Sequence, residues 1–165
     1  MTQKSADDLF QRLETLGIET TTIEHPPVFT VDEAKEHRGE LEGVHIKNLF
    51  LRNKKKKMWL VVAMEDTPVD LKALGQTLDA GRLSFGSADR LEQYLGVIPG
   101  AVTPFAAIND VAGEVKVVLD RRIFEADPIH CHPLVNTMTT AIRGDDLKRF
   151  LSDTGHEPSI VDLPS

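Results

Sequence analysis

Two apolar runs, Ile46–Arg52 and Met58–Met64, are separated only by Asn53 and four consecutive lysines, Lys54 to Lys57. A connection this short cannot hold a crossover, so the runs must pair antiparallel as a hairpin with a cationic tip. An antiparallel pair in mid-chain argues against a doubly wound parallel sheet and for an α+β fold. The flanking segments agree. Ser5 to Leu16 reads as a helix, with Ser5 as cap, Asp7 and Asp8 at its positive end, and Leu9, Phe10, Leu13 and Leu16 on one face. Thr20 to Glu24 is a β-branched strand that His25-Pro26-Pro27 ends, and a short acidic helix is expected from Val31 to His37. Asp70–Leu78, the Ser87-capped stretch to Leu95, and Asp145–Ser152 read as helices. Leu83–Phe85, Val115–Leu119, Asn136–Ile142 and Ile160–Val161 read as strands, and Gly96–Pro104 as a loop. The expectation is one α+β domain over residues 1–165, a mixed, mostly antiparallel sheet with surrounding helices.

Composition narrows the class. With 41% hydrophobic and 27% charged residues, 165 residues can bury a core without a disulfide or structural metal. The lone Cys131 excludes an internal disulfide and fits a reducing compartment. No apolar run follows Lys4, so the start is not read as a signal peptide, and no stretch reaches the ~20 apolar residues of a membrane span. A cytoplasmic chain with no membrane partner is expected.

The net charge of −7 disfavours broad coating of a polyanion. The charge is uneven, however. Residues 1–40 balance at −5, and residues 41–64 balance at +5 through Lys47, Arg52 and the four tip lysines. DNA is not an expected partner, but one local cationic contact is available.

Several side-chain patterns could bear chemistry. His130-Cys131-His132, if extended, turns both histidines to one side, where they could chelate a metal with remote help from His25 or His45; the plainer reading is a histidine pair at a pocket or strand edge. Nothing marks Cys131 as a lowered-pKa nucleophile. Phosphate-cradle glycine motifs and a Gly-x-Ser-x-Gly elbow are absent from the sequence. Gly96-Val-Ile-Pro-Gly100-Ala-Val-Thr-Pro104-Phe is either a plain turn or a rigid loop that aims backbone N–H groups at a developing oxyanion. Lys47 shares a strand face with Leu49 and Leu51, so it either faces a cavity and a bound anion or snorkels from an edge. The tip lysines either reach phosphates or serve as solubilising charge.

Four segments together resemble the YbaK/prolyl-tRNA-synthetase-associated family of aminoacyl-tRNA deacylases: Glu24-His-Pro-Pro-Val-Phe-Thr30, Lys47-Asn-Leu-Phe-Leu51, Gly96 to Phe105, and His132-Pro-Leu-Val-Asn136. They fall in the family's order, Gly100-Ala-Val-Thr-Pro104 matches its Gly-x-x-x-Pro motif, and the length resembles that of the free-standing ProX-type branch. Ile129-His130-Cys131 departs from the pattern, since an apolar or aromatic residue more often precedes the His-Pro.

The resemblance implies an enzyme that acts in trans on the acceptor end of mischarged tRNA, most closely alanine on proline tRNA, with no cofactor or metal. Prolyl-tRNA synthetase is a candidate partner. Lys47 would hold the phosphate of the terminal adenosine, with Asn48 in support. Backbone N–H groups of Gly100 and Ala101 would polarise the ester carbonyl, and His132 would position the aminoacyl end or the water. Val28, Phe29 and Thr30 would shape the side-chain pocket, and Thr103, Pro104 and Asn136 would contact substrate. Residues 47–57 would then form a cationic patch beside that pocket. A non-catalytic module that binds tRNA or a synthetase, or a deacylase of Ser- or Cys-tRNA, are the competing expectations.

Overall fold

The computed structural model describes residues 3–27 and 42–163. Val28, Phe29, Thr30 and the helix expected from Val31 to His37 lie outside the described residues. In chain order the elements are α1 (Ala6–Thr15), β1 (Thr20–Glu24), β2 (Val44–Arg52), β3 (Met58–Met64), α2 (Leu71–Thr77), β4 (Ser84–Phe85), α3 (Ala88–Leu95), β5 (Val115–Asp120), β6 (Ile129–Cys131), β7 (Met138–Ile142), α4 (Gly144–Asp153) and β8 (Ser159–Val161). Short 3-10 turns at Pro99–Ala101, Pro104–Asn109 and Arg121–Phe124 punctuate the connections.

Local chemistry explains most boundaries. Ser5 and Asp8 form a reciprocal capping box on α1, Asp70 accepts from two backbone N–H groups at the start of α2, and Ser87 caps α3. Two expectations needed revision. Asn136 and Thr137 belong to a turn, so the strand begins at Met138. The segment after Pro104, unassigned from sequence, is a 3-10 turn whose Thr103 Oγ1 accepts from Phe105 N–H at 3.3 Å.

The sheet runs β1-β7-β6-β2-β3-β5-β8, with β4 paired to β2. β2–β3, β2–β4, β6–β7 and β1–β7 are antiparallel, whereas β2–β6, β3–β5 and β5–β8 are parallel. The α+β expectation with a mixed, mostly antiparallel sheet therefore describes the fold.

β2 is the hinge of this sheet. β3 flanks Ile46 to Arg52 on one side, while the other side meets β6 only at Val44 and His45 and β4 only at Leu51 and Arg52. Between His45 and Leu51 that second edge has no strand neighbour among the described residues. Lys47 and Asn48 lie in this gap.

Both sheet faces are covered. Val44, Phe50, Leu60, Val62, Val117 and Ile129 pack with α1, α3 and α4 on one face, while Leu51, Trp59, Val61, Ala63 and Val118 pack with Leu74 of α2, Leu83 and Leu163 on the other. Every residue of β3 from Met58 to Ala63 is buried, which accounts for its unbroken apolar run. Phe105 and Phe150 meet edge-to-face at 5.3 Å in the first layer and anchor the 96–105 loop to α4.

A buried polar knot closes the C-terminal end. Asp110 accepts from Glu114 N–H at 3.1 Å, Val115 N–H at 2.8 Å and His156 Nε2–H at 2.8 Å. Burial pushes its pKa up, but the His156 bond and the two backbone bonds outweigh that and leave it lowered. A depressed carboxylate stabilises the fold above its ordinary pKa, and the gain is lost as pH falls through the folded value. Stability of the native protein is therefore expected to fall below about pH 4. Asp110→Asn should flatten that decline and lower stability at neutral pH by roughly 2–4 kcal/mol. Denaturant midpoints measured from pH 2 to 7 check both; parallel curves for the two proteins would remove Asp110 from the acid response.

Candidate active site

The parallel pairing of β2 with β6 assembles the site. Val44 lies opposite Ile129 and His45 opposite His130. Lys47 follows His45 by two residues and His132 follows His130 by two, so strand alternation turns all four to one face of the sheet. On β7, Thr139 shares this face, and His25, just past β1, reaches it through Nε2, 2.7 Å from Thr139 Oγ1. His45 and His130 stack at 4.5 Å, and the His25 and His132 rings are 6.1 Å apart. Four of the five described histidines thus line the sheet face of Lys47; the fifth, His156, is in the Asp110 knot.

His132 Nδ1 lies 3.0 Å from the Met138 carbonyl, which can only accept, so Nδ1 bears the proton and Nε2 presents a lone pair. Burial lowers the His132 pKa, the charge of His25 lowers it further, and the Met138 bond opposes them only in part. The ring is therefore neutral at physiological pH. Lys47 is half-buried, and its ammonium has no partner among the described residues. On one sheet face, a half-buried cation with no described partner suits an anion, and a neutral imidazole with a lone pair on Nε2 suits a proton acceptor.

Asn48 points the other way, as alternation requires. It sits opposite Val62, in the first core layer, while Lys47 sits opposite Ala63, in the second. Asn48 Nδ2–H donates to the Val102 carbonyl at 3.1 Å, and its buried Oδ1 has no partner among the described residues. Asn48 therefore ties the Gly100–Pro104 loop to β2 beside Lys47.

Within that loop the expected roles divide. Ala101 N–H donates to the Ile98 carbonyl at 2.9 Å, closing the Pro99 turn, so it is not available to an oxyanion. Gly100 N–H meets no acceptor among the described residues. Thr103 and Pro104 are buried, and Thr103 caps the turn that Pro104 begins. Asn136 is buried in the turn between β6 and β7.

His130 Nε2 lies 2.7 Å from the Glu42 carbonyl and His132 Nδ1 3.0 Å from that of Met138, so each histidine is oriented by a different carbonyl. No group of three His, Cys, Asp or Glu side chains is poised for a metal among the described residues. Cys131 is buried and its thiol pKa is pushed up, so it is inert at neutral pH.

The sequence offered His25 and His45 only as remote metal ligands for His130 and His132. The β1–β7, β7–β6 and β6–β2 registers bring all four to one face. The tip lysines also move. Arg52 is five residues beyond Lys47, or about 17 Å along the strand, and the tip lies past it. The cationic tip is therefore at the far end of the hairpin from Lys47, not beside it.

Comparison with known proteins fits this arrangement. Residues 25–150 match the model of the aminoacyl-tRNA editing domain. The chain belongs to the aminoacyl-tRNA editing family. The family is one of aminoacyl-tRNA deacylases, enzymes that hydrolyse the ester between an amino acid and tRNA. The chain is 43% identical over 156 residues to the prolyl-tRNA synthetase associated domain-containing protein 1 of Danio rerio, covering 93% of this chain and 85% of that protein. It is 37% identical over 153 residues to the prolyl-tRNA editing protein ProX of Acetoanaerobium sticklandii, covering 92% and 93%. A crystal structure described as that of a candidate trans-editing enzyme for prolyl-tRNA synthetase shares the fold, at TM-score 0.74 and 18% identity over 99% of both chains. No helix among the described residues is long and apolar enough to cross a membrane.

Proposed function

We propose that this editing-family chain hydrolyses alanine mischarged onto proline tRNA, acting in trans. The observation that supports it is the Lys47 ammonium, without a partner among the described residues, on the same sheet face as a neutral His132 whose Nε2 has no described partner either. Lys47 holds the phosphate of the terminal adenosine, a role that suits a compact point charge. Gly100 N–H polarises the ester carbonyl, with Asn48 keeping the loop in place. His132 Nε2 accepts a hydrogen bond from the attacking water. Water adds to the carbonyl carbon, the bond to the ribose oxygen breaks, and that oxygen leaves with a proton, giving free alanine and tRNA. The ester is already activated, so orientation and oxyanion stabilisation suffice.

A panel of mischarged tRNAs tests the assignment. Alanine release from Ala-tRNA(Pro) should exceed the spontaneous rate, with intact Pro-tRNA(Pro) spared. Faster release from Ser- or Cys-tRNA would reassign the substrate, and no release from any would leave a tRNA-binding module. His132→Gln should slow turnover by about a hundredfold, within the range of a lost proton acceptor. Because the His132 pKa is lowered, the base form persists below the ordinary histidine value. The acid limb of kcat/KM should therefore lie below pH 6.5 and vanish in the Gln variant; a limb above 6.5 would point to another group.

A further inference from the structure

The cationic tip has a tertiary extension that its sequence does not announce. Asn53 organises the turn: its N–H donates to Lys57 O at 3.1 Å, its Oδ1 accepts from Lys57 N–H at 2.9 Å, and its Nδ2–H donates to Ala80 O at 3.0 Å. The last bond fastens the tip to the turn after α2. There Asp79 and Gly81 have φ of 53° and 75°, and a Cβ on Gly75 would lie 2.0 Å from Gly81 O, so α2 presses directly on this turn. Lys116 of β5 joins from the other side, paired with Trp59. Lys54, Lys55, Lys57, Arg82 and Lys116 thus line one groove of about 330 Å³ against a single carboxylate, Asp79. All five cations are exposed.

A chain of net charge −7 could have scattered these cations; gathering them on a braced turn adds local repulsion that a bound polyanion relieves. We propose that this end of the hairpin is a second RNA contact, holding backbone phosphates of the tRNA's helical stem while the acceptor end occupies the Lys47–His132 face. The inference rests on the reading of aminoacyl-tRNA as substrate. It also adds affinity and orientation beyond what a small pocket supplies, since one methylene is worth only about 1–3 kcal/mol there. Phosphate contacts set position and register rather than reading sequence.

Binding of uncharged proline tRNA and of a CCA trinucleotide, measured by anisotropy from 50 to 200 mM salt, tests the contact apart from catalysis. Three neutralised phosphates give a log–log slope near −3, an approximately 40-fold loss over that range. Lys54→Glu/Lys55→Glu/Lys57→Glu should weaken tRNA binding at least about tenfold at 50 mM and bring the slope to about −1 or shallower, with trinucleotide binding unchanged. The corresponding Gln variant should show a smaller loss in the same direction, and Lys148→Glu none. An unchanged slope, or an equal loss on the trinucleotide, would overturn the proposal. Tip-dependent binding without ester release from any mischarged tRNA would uphold it while refuting the catalytic reading.

Discussion

Lys47→Ala is expected to cut turnover of Ala-tRNA(Pro) at subsaturating concentration by about a hundredfold, the equivalent of one charge-assisted bond of roughly 3 kcal/mol. The expectation follows from position. Lys47 occupies the gap in β2 where β6 has left and β4 has not yet joined, and no described side chain neutralises it. Because it has no partner to lose, the substitution should change folding stability by no more than about 1 kcal/mol. Activity and stability should therefore separate. Lys47→Arg should recover only part of the rate, since a planar fork does not reproduce a compact ammonium. Wild-type rates from Lys47→Ala would remove the residue from the site, and a parallel collapse of stability would make its role structural.

Gly43→Ala should be strongly damaging, because it combines a positive φ with a backbone clash. Gly43 has φ +110°, and a Cβ there would stand 2.2 Å from the Pro128 carbonyl oxygen and 2.9 Å from the Pro128 ring. That carbonyl cannot retreat freely, because it accepts from Val44 N–H at 2.8 Å at the start of the β2–β6 pairing. Strained backbone and overpacking each cost about 1–3 kcal/mol, so a loss of roughly 3–5 kcal/mol is expected. Gly17→Ala is the control. Gly17 also has positive φ, +72°, but nothing lies within 4 Å, so it should cost about 1–2 kcal/mol. Denaturant unfolding of the two variants decides, and equal losses would show that the Pro128 contact is not a constraint. Since β2–β6 pairing brings Lys47 and His132 onto one sheet face, any folded Gly43→Ala protein should also turn over slowly.

The features legible in the sequence are those decided within a few residues. Ser5, Asp70 and Ser87 cap helices because their side-chain oxygens reach N–H groups two or three residues on. The β2–β3 hairpin was fixed by its short connection, and the family by four short motifs in order. Those motifs also placed Lys47, Asn48, Gly100 and His132 in the neighbourhood of one another. Their division of labour was not legible. Alternation puts Lys47 and Asn48 on opposite faces, and only the tertiary structure shows that Asn48 meets Val102 while Lys47 joins the histidines. Ala101 reads like Gly100 in the sequence, yet a turn bond consumes its N–H.

What the sequence by itself determined is therefore the local grammar: capped helices, one obligatory antiparallel hairpin, an α+β class and membership of an editing family. The tertiary structure alone decided the parallel pairings, such as Val44 with Ile129, and with them the histidine-lined face of Lys47. It also decided that Arg82 and Lys116 join the lysine tip. The physical reason is the same in each case. A cap or a tight turn is settled by bonds among neighbours. Strand register between segments some 85 residues apart is settled by which apolar faces can be buried together, and that depends on the whole core.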